Sequence, residues 1–355
     1  ANQTTVTDRK GFQTIWTFDD NSNPIRKEVF TKNIRAGDPA SYLTLYEYDS
    51  NLEMSKITYP KGNVTQYQYD LKGNLLEMRR KGQGQNPDIV TSFTYEPRFN
   101  QVKTAADPRQ NVTTYTYDYE LGEGERGNLK KITYPSVDGQ TIESHFTYNT
   151  FGQILTHQDP NGNVTKYEYF PATGYLQRIT SGFGTPDASL TQMTYDAVGN
   201  VQTVTDPRSN TTSFTYDVNN NLKRLTAPAP FNFLTKYFYD LNGNLERIER
   251  DAPFGVQTTR YTYTALDQLK TITDHQANVP QFQYDPNGNR IKVIDPELKE
   301  TNYLYDERDL LFKVTDANTV ITTYGYDANG NLTSIQDANQ NTTTYQYDEF
   351  DRLIE

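Results

Sequence analysis

The sequence predicts an all-β fold, a repeat array of about 15 antiparallel β-hairpins that forms a coiled strip, spiral shell or rod. Three observations support this prediction. A pattern recurs with a base period of 21 residues. Aromatic and β-branched residues alternate within each repeat, as they do in half-buried strands. Connections rich in Asp, Gly and Asn separate the alternating segments, and such residues suit tight turns.

The repeat is marked by the aromatic residue that ends each aromatic-rich segment. The marker occurs 15 times, and the last four intervals are all 21 residues. The markers are Phe18, Tyr48, Tyr69, Tyr95, Tyr117, Tyr148, Tyr169, Tyr195, Tyr216, Tyr239, Tyr263, Tyr284, Tyr305, Tyr326 and Tyr347. A regular period of this kind indicates a repeat architecture in which each unit is stabilised by its neighbours.

One repeat is shown by residues 235–248, TKYFYDLNGNLERI. Tyr237 and Tyr239 are two positions apart, so they lie on one face of a strand that we term strand A. Asp240 begins a turn because its side chain can accept backbone hydrogen bonds, and Gly243 or Asn244 can adopt the left-handed conformation. We predict the same structural role for Tyr48, Asp49, Tyr69, Asp70, Tyr195, Asp196, Tyr216, Asp217, Tyr284, Asp285, Tyr305, Asp306, Tyr326, Asp327, Tyr347 and Asp348.

The return segment, strand B, has an apolar spacing that does not fit a regular strand. Its apolar pair, such as Leu245 and Ile248, is three residues apart. In a regular strand that spacing places the two side chains on opposite faces. Either a β-bulge redirects one of them, or both faces of the sheet are partly covered.

The array has two kinds of connection. The turn from strand A to strand B has a nearly constant length, with one long exception at residues 118–128. The connection from strand B to strand A varies, for example at residues 181–190, and often begins with Asp-Pro, as at Asp206. Hairpin topology puts all the variable connections on one edge, where binding loops are expected. About 30 strands exceed what an open twisted sheet tolerates, so we expect the strip to coil.

Composition excludes several classes of function. The net charge is −11 and no basic block is present, so nucleic-acid binding is not expected. No apolar run is long enough for a membrane span, and the absence of Cys removes thiolate chemistry. The 28 tyrosines and 17 phenylalanines argue against a disordered chain.

The turn and strand segments resemble the YD repeats of the Rhs family. YDLNGNLERI, YDAVGNVQTVTDPRSN, YDPNGNRIKVIDP and YDANGNLTSIQD carry this likeness, which extends over essentially all of residues 1–355. Related repeats occur in the C component of insecticidal toxin complexes and in teneurins. The resemblance implies a hairpin strip that spirals into a hollow shell. In bacterial members such a shell houses a toxin polypeptide, and in teneurins it is part of an adhesion ectodomain.

No catalytic, cofactor-binding or metal-binding residue is expected. The three histidines, His145, His157 and His275, show no ligand spacing. Turns such as DLNGN are similar to the start of a calcium loop, but the same residues are explained by Asp-based turns. Five Asn-x-Thr acceptors share one position before strand A and are possible glycosylation sites: Asn63, Asn111, Asn163, Asn210 and Asn341.

These observations favour a non-catalytic extracellular scaffold of the Rhs/YD type, which walls a β-shell around a toxin or another polypeptide. The alternative is an extracellular or cell-surface fibre or adhesin that self-associates into filaments, or binds surfaces or glycans through its variable edge. An unrecognised hydrolase is the third hypothesis. We expect residues 1–355 to form one continuous array without a separate catalytic domain, cut from a longer chain.

Overall fold

The computed structural model describes residues 2–32 and 37–355. In these ranges it contains 30 β-strands, one short 3-10 helix and no α-helix, so the all-β prediction is confirmed. Each marker residue from Phe18 to Tyr326 ends an even-numbered strand, and the last marker forms an isolated bridge with Leu353. Strand A of the repeat therefore corresponds to the even-numbered strands, and strand B to the odd-numbered ones.

The strands are short, most of them five to seven residues long. The first fifteen are β1 Asn2–Thr7, β2 Gln13–Phe18, β3 Pro24–Phe30, β4 Ser41–Tyr48, β5 Met54–Thr58, β6 Val64–Tyr69, β7 Leu75–Arg80, β8 Ile89–Tyr95, β9 Val102–Ala106, β10 Val112–Tyr117, β11 Leu129–Val137, β12 Gln140–Tyr148, β13 Ile154–Gln158, β14 Val164–Tyr169 and β15 Leu176–Ser181. The 3-10 helix Asp118–Leu121 lies in the long connection at residues 118–128.

The remaining strands continue the same alternation to the end of the chain. They are β16 Ser189–Tyr195, β17 Val201–Thr205, β18 Thr211–Tyr216, β19 Leu222–Thr226, β20 Leu234–Tyr239, β21 Leu245–Ala252, β22 Gly255–Tyr263, β23 Leu269–Thr273, β24 Gln281–Tyr284, β25 Arg290–Ile294, β26 Glu300–Tyr305, β27 Leu311–Thr315, β28 Ile321–Tyr326, β29 Leu332–Gln336 and β30 Thr342–Thr344. Strands that follow one another pair antiparallel, as β1 does with β2, β2 with β3 and β3 with β4.

The chain divides into two compact units. The first consists of Ala1–Phe93, Thr264–Thr271 and Val279–Glu355, and the second of Thr94–Tyr263 and Ile272–Asn278. Within the described residues, few apolar side chains are fully buried. Most strand positions are half-buried, because each strand is covered mainly by its neighbours in the sheet.

A β-bulge resolves the spacing of the apolar residues in strand B. Tyr237 pairs with Ile248 and Phe238 with Arg247, but Tyr239 pairs with Leu245, so Glu246 is an extra residue. Because of the extra residue, Leu245 and Ile248 lie on the same face of the sheet although they are three positions apart. Both fall opposite tyrosines that share one face. The same register shift occurs in the other eleven described pairings of strand A with the following strand B. The bulge is thus a constant part of the repeat.

Candidate functional site: the seam of the first unit

The turns of the repeat are closed by their aspartates. One carboxylate oxygen of Asp240 accepts the backbone N–H groups of Asn242 and Asn244, both at 2.9 Å. The other oxygen accepts the side-chain amide of Asn244 at 3.1 Å. Gly243 has a φ of 87°, the left-handed conformation that the turn requires. Asp206 makes the same set of bonds in the connection from strand B to strand A.

The marker tyrosines link each hairpin to the preceding one. The Tyr239 hydroxyl donates a hydrogen bond of 2.9 Å to the carbonyl oxygen of Leu222, at the start of the previous strand B. Among the described residues, at least eleven markers make this bond, at 2.6 to 3.2 Å: Tyr48, Tyr117, Tyr148, Tyr169, Tyr195, Tyr216, Tyr239, Tyr263, Tyr284, Tyr305 and Tyr326. A Phe at these positions would fill the space without forming the bond.

Ring stacking contributes little to the contact between successive strand A segments. In the part of the chain that the structure describes, one pair of strand A rings lies at stacking distance, Trp16 and Tyr46, with centroids 6.3 Å apart. Successive strand A segments are separated by a strand B, so their rings are about two strand spacings apart. The long Tyr side chain bridges this gap through its hydroxyl instead.

Within the first unit, two distant parts of the chain dock against each other. Connections at residues 8–12, 38–42, 59–63 and 80–83 contact the turns at residues 285–289, 306–310, 327–331 and 348–352. We call this set of contacts the seam. The four turns follow one another at the unbroken interval of 21 residues, so they present their side chains in one row.

At one end of the seam, Lys10 lies between two turn aspartates. Its ammonium group is 3.3 Å from Asp285 and 3.2 Å from Asp309. Asn287 donates a hydrogen bond of 2.7 Å to Asp8. The pKa of Asp8 is lowered, because the bonds from Asn287, the local backbone and Lys10 outweigh the opposing effect of burial. The contact therefore holds charged carboxylates.

The next contact is an arginine stacked on a tyrosine. The guanidinium of Arg308 lies 3.8 Å from the ring centroid of Tyr42, a buried residue of β4. Arg308 also pairs with the fully buried Asp306 at 3.3 Å and donates to the carbonyl oxygens of Asp327 and Ala328. A planar cation suits this arrangement, because it can stack and donate in its plane at once.

A polar network forms the third contact. The ammonium group of Lys61 is 2.9 Å from Asp327, and its backbone N–H donates to Asn329 at 3.0 Å. Asn329 in turn donates to Asn63 at 2.8 Å, and Asn63 donates to Asp351 at 3.1 Å. Burial opposes ionisation of Asp327, but the bonds from Lys61 and the turn hold its pKa below the ordinary value. Burial lowers the pKa of Lys61, but the hydrogen bonds and charges of Asp327 and Asp351 outweigh it, so the pKa of Lys61 is raised.

At the other end of the seam, Arg80 donates a hydrogen bond to the carbonyl oxygen of Phe350 and lies over the ring of that residue. The backbone N–H of Gln83 donates to Glu349 at 3.3 Å. Phe350 is 4% exposed, so it is one of the few buried apolar side chains. The seam thus combines ion pairs, amide contacts and the buried rings of Tyr42 and Phe350.

The predicted structural residues lie where the repeat requires them. Each Tyr ends a strand or forms the last bridge, and each Asp begins a turn, as the strand bounds show. Among the described residues, Asp285, Asp306, Asp327 and Asp348 begin the four turns that dock at the seam. The seam residues Lys10, Lys61, Arg80 and Arg308 were not singled out from the sequence.

The five acceptor asparagines fall in different environments. Asn63 is 6% exposed and its side-chain amide is bonded within the seam. Asn111, Asn163 and Asn341 are exposed and Asn210 is half-buried. Their glycosylation stays a prediction, and the geometry distinguishes Asn63 from the others.

The variable connections of the second unit carry exposed aromatic rings. Phe183, Phe231, Phe233 and Phe254 are 42 to 104% exposed. Two of them, Phe231 and Phe233, stack with centroids 5.6 Å apart. This edge is where the length variation predicts binding loops.

None of the described histidines belongs to a group that could hold a metal ion. His145 lies 3.3 Å from Glu143, and His157 stacks on Phe146 with centroids 4.7 Å apart. Within residues 2–32 and 37–355 no group of three or more acidic or histidine side chains is placed to hold a metal ion. The same ranges contain no helix long and apolar enough to cross a membrane.

Comparison with known proteins agrees with this architecture. The RHS Repeat family matches residues 48–85, 305–342 and 326–355, and the Teneurin YD-shell family matches residues 125–294. The chain contains RHS/YD repeats. The predicted resemblance to the YD repeats of the Rhs family is therefore confirmed, together with the all-β fold class.

Two curated relatives contain similar segments. Double-stranded DNA deaminase toxin A of Burkholderia cenocepacia is 26% identical over 144 residues, which are 41% of this chain and 9% of the relative. The tRNA3(Ser)-specific nuclease WapA of Bacillus spizizenii is 28% identical over 150 residues, which are 41% of this chain and 6% of the relative. The YD-repeat chain thus spans a tenth or less of the length of these relatives.

Solved structures match over nearly the whole chain. The TcdB2-TccC3-TEV structure superposes with a TM-score of 0.82 at 19% identity, covering 99% of this chain and 21% of that one. TcdB2-TccC3-Cdc42 gives 0.81, and the Photorhabdus luminescens Tc holotoxin pore gives 0.80, each at 20% identity with 97% and 20% coverage. At this identity the superposition shows a shared fold. The YD-repeat chain spans about a fifth of these structures.

Proposed function

We propose that this YD-repeat chain is a non-catalytic wall segment of an extracellular Rhs/YD shell that encloses a toxin or another polypeptide. The seam is the observation that carries the proposal. In the first unit, one edge of the hairpin array is complementary to the other through four successive contacts. An array whose opposite edges bind each other can build a continuous wall, because the turn edges no longer face solvent.

Two further observations support a structural role. The fold is shared with the TcdB2-TccC3 structures, and the names of both curated relatives describe toxins or nucleases of which the repeat segment is a small part. In the described residues, the aspartates that begin most turns accept hydrogen bonds from their own turns, as Asp240 does. We therefore propose that any toxic activity belongs to an enclosed polypeptide, and that this chain supplies the container.

Imaging of the purified chain by negative-stain electron microscopy tests the proposal. We expect strongly curved or closed hollow particles. Long polymers with a regular axial rise would contradict the container and favour the fibre. The adhesin alternative is tested with a glycan panel. Saturable binding that is lost on deletion of residues 181–190 would support it over the container.

A further inference from the structure

Four consecutive strands of the second unit, β19 to β22, carry two pairs of facing basic residues. The side chains concerned alternate with the tyrosines along each strand A, so they lie on the opposite face of the sheet. On this face Arg224 of β19 lies directly opposite Lys236 of β20. In the next two strands, Arg247 of β21 lies directly opposite Arg260 of β22. We call these four residues the basic patch.

Like-charged pairs of this kind are confined to the basic patch. Among the other described strand pairings, none places a lysine or arginine directly opposite another one. Lys56, for example, lies opposite Glu47 and pairs with it at 2.7 Å. Like charges directly opposite each other destabilise a sheet. Sequences break such a rule mainly where a function requires it, so two adjacent pairs point to a binding surface.

The acid within the patch balances only part of its charge. Glu249 lies 3.8 Å from Lys236 and 3.3 Å from Arg247. Arg224 and Arg260 are exposed, and within the described part of the chain neither has an acidic partner. Two guanidinium groups are therefore available to a ligand.

The residues around the patch do not remove this excess. The extra residues of the neighbouring bulges, Lys223 and Glu246, carry opposite charges. Asp251, at the end of β21, accepts the backbone N–H of Leu234 at 3.0 Å. The adjacent strand β18 contains only uncharged residues. The patch and these neighbours together contain five basic and three acidic residues, so the surface stays positive.

We propose that the basic patch binds a short acidic segment of another polypeptide. Carboxylates placed between the facing side chains would replace the repulsion within each pair by attraction. Arginine suits this ligand, because its planar group can donate two parallel hydrogen bonds to one carboxylate. The patch extends over three strand spacings, roughly 14 Å, which is the length of about four extended residues.

A nucleic acid fits this surface less well than an acidic peptide. Proteins that bind nucleic acids commonly neutralise roughly six to ten phosphates, whereas the patch supplies four basic residues. The net charge of the chain is −11, which opposes the approach of a long polyanion. A short acidic segment can contact the patch and avoid the rest of the surface.

Isothermal titration calorimetry at low salt and neutral pH tests the proposal. The probes are acetylated hexaglutamate, its neutral analogue hexaglutamine, and a thymidine oligonucleotide with the same number of negative charges. We expect saturable one-site binding of hexaglutamate, no binding of hexaglutamine, and loss of the hexaglutamate signal at about 1 M salt, where charges are screened within ~3 Å. Absence of saturable hexaglutamate binding would overturn the proposal. Tighter binding of the oligonucleotide would overturn the assignment to a polypeptide.

A pair of double variants locates the binding. Arg224→Gln with Arg260→Gln should weaken hexaglutamate roughly tenfold or more. Lys56→Gln with Lys292→Gln is the matched control, because it removes the same charge from residues that already pair with Glu47 and Glu300 at 2.7 Å. An equal loss of affinity in both would show general attraction by net charge and contradict the patch.

The melting temperature of the first double variant gives a second readout. Removing one member of each like-charged pair relieves repulsion, so without peptide the variant should melt no lower than the native chain. A marked drop would show that the two arginines stabilise the sheet, and it would contradict their assignment to a binding surface.

Discussion

Replacing Tyr239 with Phe removes one hydroxyl that joins two hairpins. The hydroxyl donates to the carbonyl oxygen of Leu222 at 2.9 Å. Tyr239 is half-buried, and this burial raises its pKa. Losing the bond and leaving the carbonyl without a partner should together cost about 1–2 kcal/mol.

The effect should be local, because stability in a repeat array is a sum of neighbour terms. Hydrogen–deuterium exchange with mass spectrometry can resolve it. We expect amides of β19 and β20 to exchange roughly 5 to 30 times faster in Tyr239→Phe, while distant strands keep their rates.

Tyr237→Phe is the matched control. Tyr237 lies in the same strand and is half-buried, and its hydroxyl forms no hydrogen bond with another described residue. Its loss should cost less than about 0.5 kcal/mol. Equal acceleration by the two substitutions would refute the role of the hydroxyl bond.

Two further predictions concern a turn and the seam. Gly199→Ala should destabilise its hairpins by about 2–4 kcal/mol, because φ is 96° and the new Cβ would lie 2.5 Å from the Tyr175 hydroxyl oxygen. Gly243→Ala, with φ 87° and open space, should cost about 1 kcal/mol, and urea unfolding compares the two. Lys61→Met should destabilise the first unit by about 2 kcal/mol at pH 7. The pKa of the Asp327 carboxyl is lowered below 3.8 in the folded protein. The ionised carboxylate therefore stabilises the folded state above pH 3.8, and this stabilisation is lost as the pH falls through the lowered pKa. The variant should therefore lose less stability than the native chain between pH 5 and 3, and an equal loss in thermal melts would contradict the ion pair.

The hairpin array could be predicted because its signals are local. The spacing of aromatic residues set the strands, and Asp followed by Gly-Asn set the turns, since both depend on residues close in sequence. The bulge was only one of two options, because the spacing of Leu245 and Ile248 is compatible with either. Pairing of Tyr239 with Leu245 decided between them.

The seam could not be predicted in the same way. Asn63 and Asn329 are 266 residues apart, and a period of 21 residues does not tell which turns will meet. A weak signal was present in retrospect. The last four units keep the 21-residue interval without an insertion, and their turns are those that dock.

The docking of the two edges is most directly tested by a distance between residues 9 and 286, which are exposed and lie next to the bonded pair Asp8 and Asn287. The chain lacks Cys, so Arg9→Cys and Pro286→Cys can be spin-labelled selectively for pulsed electron paramagnetic resonance without removing a contact of the seam. A closed seam predicts a narrow distribution below about 25 Å, since the neighbouring Asn287 donates a hydrogen bond of 2.7 Å to Asp8. The 23 strands β2 to β24 separate the two positions along the sheet, which would place them ~110 Å apart in a flat extended strip. Finding no population at short distance in the monomeric protein would contradict the account.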